Sequence, residues 1–200
     1  MTIETKDQIK SVAVYCASSE LIDVKYKETA DRLGLLIAQK NLRLVNGAGN
    51  MGLMARTADA VLRAGGKVTG IIPQFMIDNG WCHTGLTKLE VVDDMSTRKM
   101  RMAELADGIV ALPGGVGTLE ELIEVITLKQ LGLINAPIII VNVDNYYDPL
   151  LQMFERAIEE NFMHKRHNDL WQVATSADEA MELLLGPRSW DPSFKKFAKL

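Results

Sequence analysis

The chain's 200 residues, 48% hydrophobic and 24% charged, suit one domain with a full apolar core. A formal net charge of −4 argues against a general nucleic-acid surface, whereas a small phosphorylated ligand needs only a local basic cluster. Met1 to Lys10 is polar and no segment approaches the roughly eighteen uninterrupted apolar residues of a membrane span, so a cytoplasmic protein without signal peptide or membrane contact is expected.

Ser11 to Cys16 reads as the first strand and ends in the small residues Ala17-Ser18-Ser19. A helix over about Val24 to Lys40 carries Tyr26, Ala30, Leu33, Leu36 and Ile37 at helical spacing, and Leu42 to Val45 is the second strand. That strand runs into the glycine-rich turn Asn46 to Gly52, a helix from about Leu53 to Ala64, and the stop Gly65-Gly66. Lys67 to Ile72 is a third strand, Pro73 to Thr87 the least regular stretch, and Leu89 to Val92 a short strand. Helix Ser96 to Ala106, strand Ile109 to Leu112, helix Thr118 to Leu133 and strand Pro137 to Asn142 follow. Helix Pro149 to Asn161, a strand near Trp171 to Ala174 and helix Ala177 to Leu185 complete the pattern.

Strands alternating with helices of this length predict an α/β fold, a doubly wound parallel sheet in a single domain, with helices on both faces. The expected division is a polar lead-in over 1–10, the domain over 11–186 and a tail over 187–200, basic at Lys195-Lys196. In such sheets ligands sit beyond the carboxyl ends of the strands, where strand order reverses. The turns at Ala17 to Ser19, Asn46 to Gly52 and Pro113 to Gly117 are therefore expected to converge on one crevice.

The most informative stretch is Leu112-Pro113-Gly114-Gly115-Val116-Gly117-Thr118-Leu119-Glu120-Glu121. Strand, glycine turn and helix in that order let a phosphate approach the backbone and meet the first free amides and positive dipole end of the helix. No Lys-Ser/Thr pair follows the last glycine and the spacing is not GxGxxG, so neither a P-loop nor a dinucleotide fingerprint is present. Thr118 to Glu121 also fits a capping box, with Thr118 as N-cap and Glu121 at the third helical position.

Upstream, Asp94 to Arg101 places Arg98, Lys99 and Arg101 near a helix start, where cations oppose the dipole. Arg98 and Lys99 are expected to face the crevice and meet an anion or a carboxylate, and Arg101 to lie on a solvated face beside Glu104. Cys16 and Cys82 form no CxxC unit and read as reduced, buried thiols, with neither disulfide framework nor zinc site. Methionines such as Met100, Met153 and Met181 read as packing, and His164 and His167 carry no assignment.

Met95 to Lys99 (MSTRK), Pro113 to Glu121 (PGGVGTLEE) and Asn142 to Leu151 (NVDNYYDPLL) together resemble the Lonely Guy family of phosphoribohydrolases, with the Arg-Lys pair ending fourteen residues before the motif's proline. The resemblance runs from about Val12 to Leu185 and implies a Rossmann-like homodimer, packed through the helices around Met100 and Leu122 to Leu131. The activity it implies is hydrolysis of the N-glycosidic bond of nucleoside 5'-monophosphates, cytokinin nucleotides or AMP, to free base and ribose 5-phosphate, with no metal and no cofactor. Carried over by position, Arg98 and Glu121 are the catalytic pair, while Lys99, Gly114, Gly115, Val116, Gly117, Thr118, Glu120 and Thr127 bind substrate. Ser18, Gly47 and Gly49 of the other two turns complete that set.

The chain departs from the family at Ala17, where members often have glycine, at Asn46 to Gly49 in place of YGGG, at Ser96 in place of histidine, and at Gly80, which stands at a base-side glutamate. His83, near the expected base pocket, reads as a surface histidine, and Asp144, Tyr146 and Asp148 as structural. Nothing resembles the pyridoxal-phosphate lysine site that the label lysine decarboxylase would need. The rival reading is a carrier of a nucleotide or a pterin-type cofactor that holds phosphate without cleaving anything.

Overall fold

The computed structural model describes residues 8–187, so residues 1–7 of the lead-in expected over 1–10 and 188–200 of the tail expected over 187–200 lie outside the described residues. Seven strands form one sheet: β1 (Ser11–Tyr15), β2 (Arg43–Asn46), β3 (Lys67–Pro73), β4 (Lys88–Val92), β5 (Gly108–Ala111), β6 (Ile138–Val141) and β7 (Gln172–Ala174). Their order is β4-β3-β2-β1-β5-β6-β7 and every neighbouring pair is parallel. The helices are α1 (Val24–Gln39), α2 (Gly52–Arg63), α3 (Gln74–Asp78), α4 (Met95–Leu105), α5 (Val116–Gln130), α6 (Asp148–Glu159) and α7 (Ala177–Leu185), with short 3-10 turns at Val143–Asn145 and Lys165–Leu170.

Alternation along β1 explains the two layers. Val12 and Val14 pack with Leu33, Ile37, Leu53, Val61 and Leu184, the apolar faces of α1, α2 and α7. Ala13 and Tyr15 point the other way, into Met102, Leu122, Val125 and Ile126 of α4 and α5. A strand buried on both faces needs a continuous apolar run, and β1, β5 and β6 are buried throughout.

The chain lays down β1 to β4 on one side, then returns across β1 to place β5 on the other. That reversal opens a crevice at the carboxyl ends of β1, β2 and β5. The segment read as irregular contains the short helix α3, and β3 runs on to Pro73, whose missing N–H is tolerated at the strand's last residue. Two of the methionines read as packing do not pack: Met100 and Met153 are exposed, while Met181 is buried.

Candidate active site

The three turns at the strand ends converge as expected. Ala17, Ser18 and Ser19, then Gly49, Asn50 and Met51, then Gly115, Val116 and Gly117 line one cavity of about 600 Å³, with Arg98, Thr118, Glu120 and Glu121. Its remaining wall is Cys16, Met54, Met76, Trp81 and Met95. The cavity thus has a backbone-lined end, a charged floor and an apolar wall.

The backbone-lined end is the start of α5. Three other helices spend a first amide on a capping side chain, whereas α3 and α6 have no such cap: the Asp23 carboxylate accepts from the Lys25 amide, Asp94 from Thr97, and Ser176 from Glu179. At α2 the Gly52 amide donates to Glu20 at 2.6 Å and those of Leu53 and Met54 to the Ala17 carbonyl. Helix α5 is capped by Gly115, which has no side chain to offer, and its first intrahelical bond runs from the Leu119 amide to the Gly115 carbonyl at 3.0 Å. The amides of Val116, Gly117 and Thr118 are left at the cavity with the positive dipole end behind them.

This start differs from the capping-box expectation. With Gly115 as N-cap, Glu121 is the sixth helical residue rather than the third, so its carboxylate cannot reach back to the cap. It is buried instead, 7% exposed, with Oε1 3.5 Å from Arg98 Nη1. Burial pushes the Glu121 carboxyl up to about 7, with the Arg98 charge opposing that rise.

Arg98 itself is 4% exposed. Its Nε donates to the Ile71 carbonyl at 3.2 Å and its Nη2 to the Gly47 carbonyl at 3.0 Å. A cation at the wrong end of α4 is therefore stabilised by carbonyl dipoles at the ends of β2 and β3 and by one carboxylate. Gly47 is what lets the guanidinium in: a Cβ there would lie 1.5 Å from Nη2. Lys99 meets carboxylates rather than the cavity, with Nζ 2.5 Å from Glu120 and 3.4 Å from Glu124 on α5. Arg101 pairs with Glu90 at 2.5 Å as well as with the expected Glu104 at 3.1 Å.

Of the residues singled out from sequence, Ser18, Gly49, Arg98, Gly115, Val116, Gly117, Thr118, Glu120 and Glu121 share the cavity. Gly47 serves it through its carbonyl, and Gly114 packs so closely under Thr118 that a Cβ would lie 2.1 Å from Oγ1. Thr127 lies exposed farther along α5, its hydroxyl donating to the Ile123 carbonyl, and does not line the cavity. His83 is not a surface side chain. It is 14% exposed, with Nε2 3.0 Å from Asp59 and Nδ1 accepting from the Gly85 amide at 3.0 Å.

The apolar wall of Met51, Met54, Met76, Trp81 and Met95 has no signal in the sequence pattern. Long-range backbone pairing brings Trp81 there: the Asn50 amide donates to the Trp81 carbonyl at 3.1 Å, the His83 amide to Ala48, and Gly49 bridges Cys82. Ala48 holds a left-handed φ of 54° where the family pattern carries glycine, while Gly80, at φ 74°, has open space around the place of a Cβ.

Known proteins resemble this chain over most of its length. Residues 54–184 match the family model described as possible lysine decarboxylase. The chain is 47% identical over 155 residues to the cytokinin riboside 5'-monophosphate phosphoribohydrolase of Rhodococcoides fascians, covering 77% of this chain and 78% of that one. It is 38% identical over 191 residues to an enzyme of the same name from Arabidopsis thaliana, covering 96% and 87%. Among solved structures, the molybdenum cofactor binding protein from Rippkaea orientalis superimposes with a TM-score of 0.68 at 22% identity, over 88% of this chain and 95% of that one, which is a likeness of fold.

Proposed function

The chain belongs to the Lonely Guy family of phosphoribohydrolases, whose shared model carries the description possible lysine decarboxylase, and on that premise we propose that it hydrolyses the N-glycosidic bond of nucleoside 5'-monophosphates. The observation that carries this reading is the buried Arg98–Glu121 pair on the floor of a cavity whose end is lined by unspent helix amides.

The 5'-phosphate rests on the amides of Gly115, Val116, Gly117 and Thr118, and its binding energy holds the ribose over the floor. As the bond between C1' and the base nitrogen breaks, its electron pair leaves with the base and positive charge builds on the sugar. The Glu121 carboxylate stabilises that charge and takes a proton from the water whose oxygen bonds to C1'. Arg98 has two N–H groups beyond the three its protein contacts use, and these orient the ribose or assist the leaving base. The proton taken by Glu121 passes to the departing base nitrogen, so the products are free base and ribose 5-phosphate and the carboxylate is restored.

Decarboxylation gains nothing from this cavity, because none of its lining residues is a lysine. A carrier that only holds a phosphate ester has no use for a buried carboxylate beside the sugar. Incubation with AMP and with isopentenyl-AMP, followed by assay for free base, separates these readings. Release of adenine or its prenylated form is expected, and tight binding without release from either would leave the carrier.

Glu121 must be ionised to act. For AMP, kcat/KM is therefore expected to rise about tenfold per pH unit below pH 7 and to level off above it, the limb reporting the free enzyme's carboxyl group at about 7. A flat profile from pH 5 to 8 would remove Glu121 as base. The protein acts as a homodimer packed through α4 and α5, a reading supported by the exposed Met100, Ile123 and Leu131 on or just beyond those helices. No helix among the described residues is long and apolar enough to cross a membrane, in keeping with a cytoplasmic enzyme.

A further inference from the structure

The glycine turn is held by three successive carbonyls. Leu112 accepts from the Tyr147 hydroxyl at 2.8 Å, Pro113 from the Ala17 amide at 3.1 Å, and Gly114 from the Tyr146 hydroxyl at 2.7 Å. Neither tyrosine lines the cavity. The bond from Tyr147 is the ordinary satisfaction of a buried hydroxyl, since that residue is 1% exposed. Tyr146 is different: it is 42% exposed, so water is at hand and burial does not demand the bond.

The Tyr146 ring is nonetheless fixed. It stands edge-on to Tyr26, centroids 5.8 Å apart, and to Tyr147, 5.1 Å apart. Its backbone follows Asp144 and Asn145, both at left-handed φ, and Asp144 is ion-paired with Lys25 at the start of α1. The hydroxyl is thus delivered to one peptide plane.

In a trans peptide the N–H points opposite to the carbonyl, so the plane held through the Gly114 carbonyl also sets the direction of the Gly115 N–H. Gly115 lines the cavity, at the end where α5 begins. We propose that Tyr146 is a positioning residue for the phosphate: through the Gly114 carbonyl it turns the Gly115 amide to join those of Val116, Gly117 and Thr118. The inference rests on the reading that the substrate's phosphate lies at the start of α5.

Tyr146→Phe keeps the ring and its stacking and removes only the hydroxyl. By calorimetry, ribose 5-phosphate and AMP are expected to bind this variant about tenfold more weakly than the unaltered protein, while adenosine, lacking the phosphate, binds both alike. In the base-release assay KM for AMP rises and kcat holds. Equal loss for AMP and adenosine, a purely structural effect, would overturn the inference, as would unchanged affinity for ribose 5-phosphate. An unaltered protein that binds AMP without releasing adenine would refute the hydrolase reading, yet the calorimetric comparison would still decide the role of Tyr146.

Discussion

Glu121→Gln is expected to lower kcat for base release about a thousandfold while leaving AMP affinity within about threefold of the original. Glutamine keeps the size and planarity of the side chain, so the 7% exposed site beneath α5 stays filled and the amides of Val116 to Thr118 still meet the phosphate. What it loses is the charge and the ability to take a proton. Single-turnover base release together with calorimetry separates the two contributions, and near-normal turnover would take Glu121 out of the chemistry.

The same variant alters stability with a definite sign. The folded carboxyl titrates near 7 against its ordinary 4.5, so between those values the folded protein holds more protons than the unfolded chain. Stability therefore falls as pH rises through that window, by about 3 kcal/mol in all. Glutamine removes that dependence. Denaturant melts at pH 5 and pH 8 are expected to differ more for the unaltered protein than for Glu121→Gln.

The fold was legible because its signals are local. Apolar runs at β1, β5 and β6 and helical spacing in α1 and α2 survive any tertiary context, and parallel connection of strands through helices leaves few topologies. The glycine turn and the three converging loops were legible for the same reason, since turn chemistry is written in adjacent residues. The start of α5 was not, because Thr118 to Glu121 satisfies the capping-box spacing whether or not the N-cap lies three residues earlier. Spacing could not place Lys99 either: whether it met substrate or carboxylate depended on Glu120 and Glu124, twenty-odd residues away in sequence and one helix across in space. The wall of methionines and Trp81 is wholly tertiary, built by pairing the turn after β2 with the segment after α3.

Arg98 is where fold and chemistry meet, and its replacement is expected to cost both. Arg98→Ala leaves the Ile71 and Gly47 carbonyls and the Glu121 carboxylate without their shared partner, a loss of about 3–5 kcal/mol of stability by analogy with other broken buried pairs. Base release falls at least a hundredfold. Because the Arg98 charge holds the Glu121 carboxyl down, its removal moves the acid limb of any residual activity above pH 7. Arg98→Lys retains charge but not the planar fork that spans three partners, so it recovers stability in part and activity little.

A loss after Arg98→Ala alone does not distinguish a catalytic guanidinium from a collapsed site, and Gly47→Ala supplies the distinction. The added methyl falls 1.5 Å from Nη2, so the guanidinium must move although its charge and stem are intact. If the observed placement of Arg98 matters to the reaction, Gly47→Ala lowers kcat toward the value of Arg98→Lys in a protein that still melts cooperatively. Full activity in Gly47→Ala would mean that the position of the guanidinium is incidental, and the roles assigned to Arg98 and to the carbonyls that hold it would fall together.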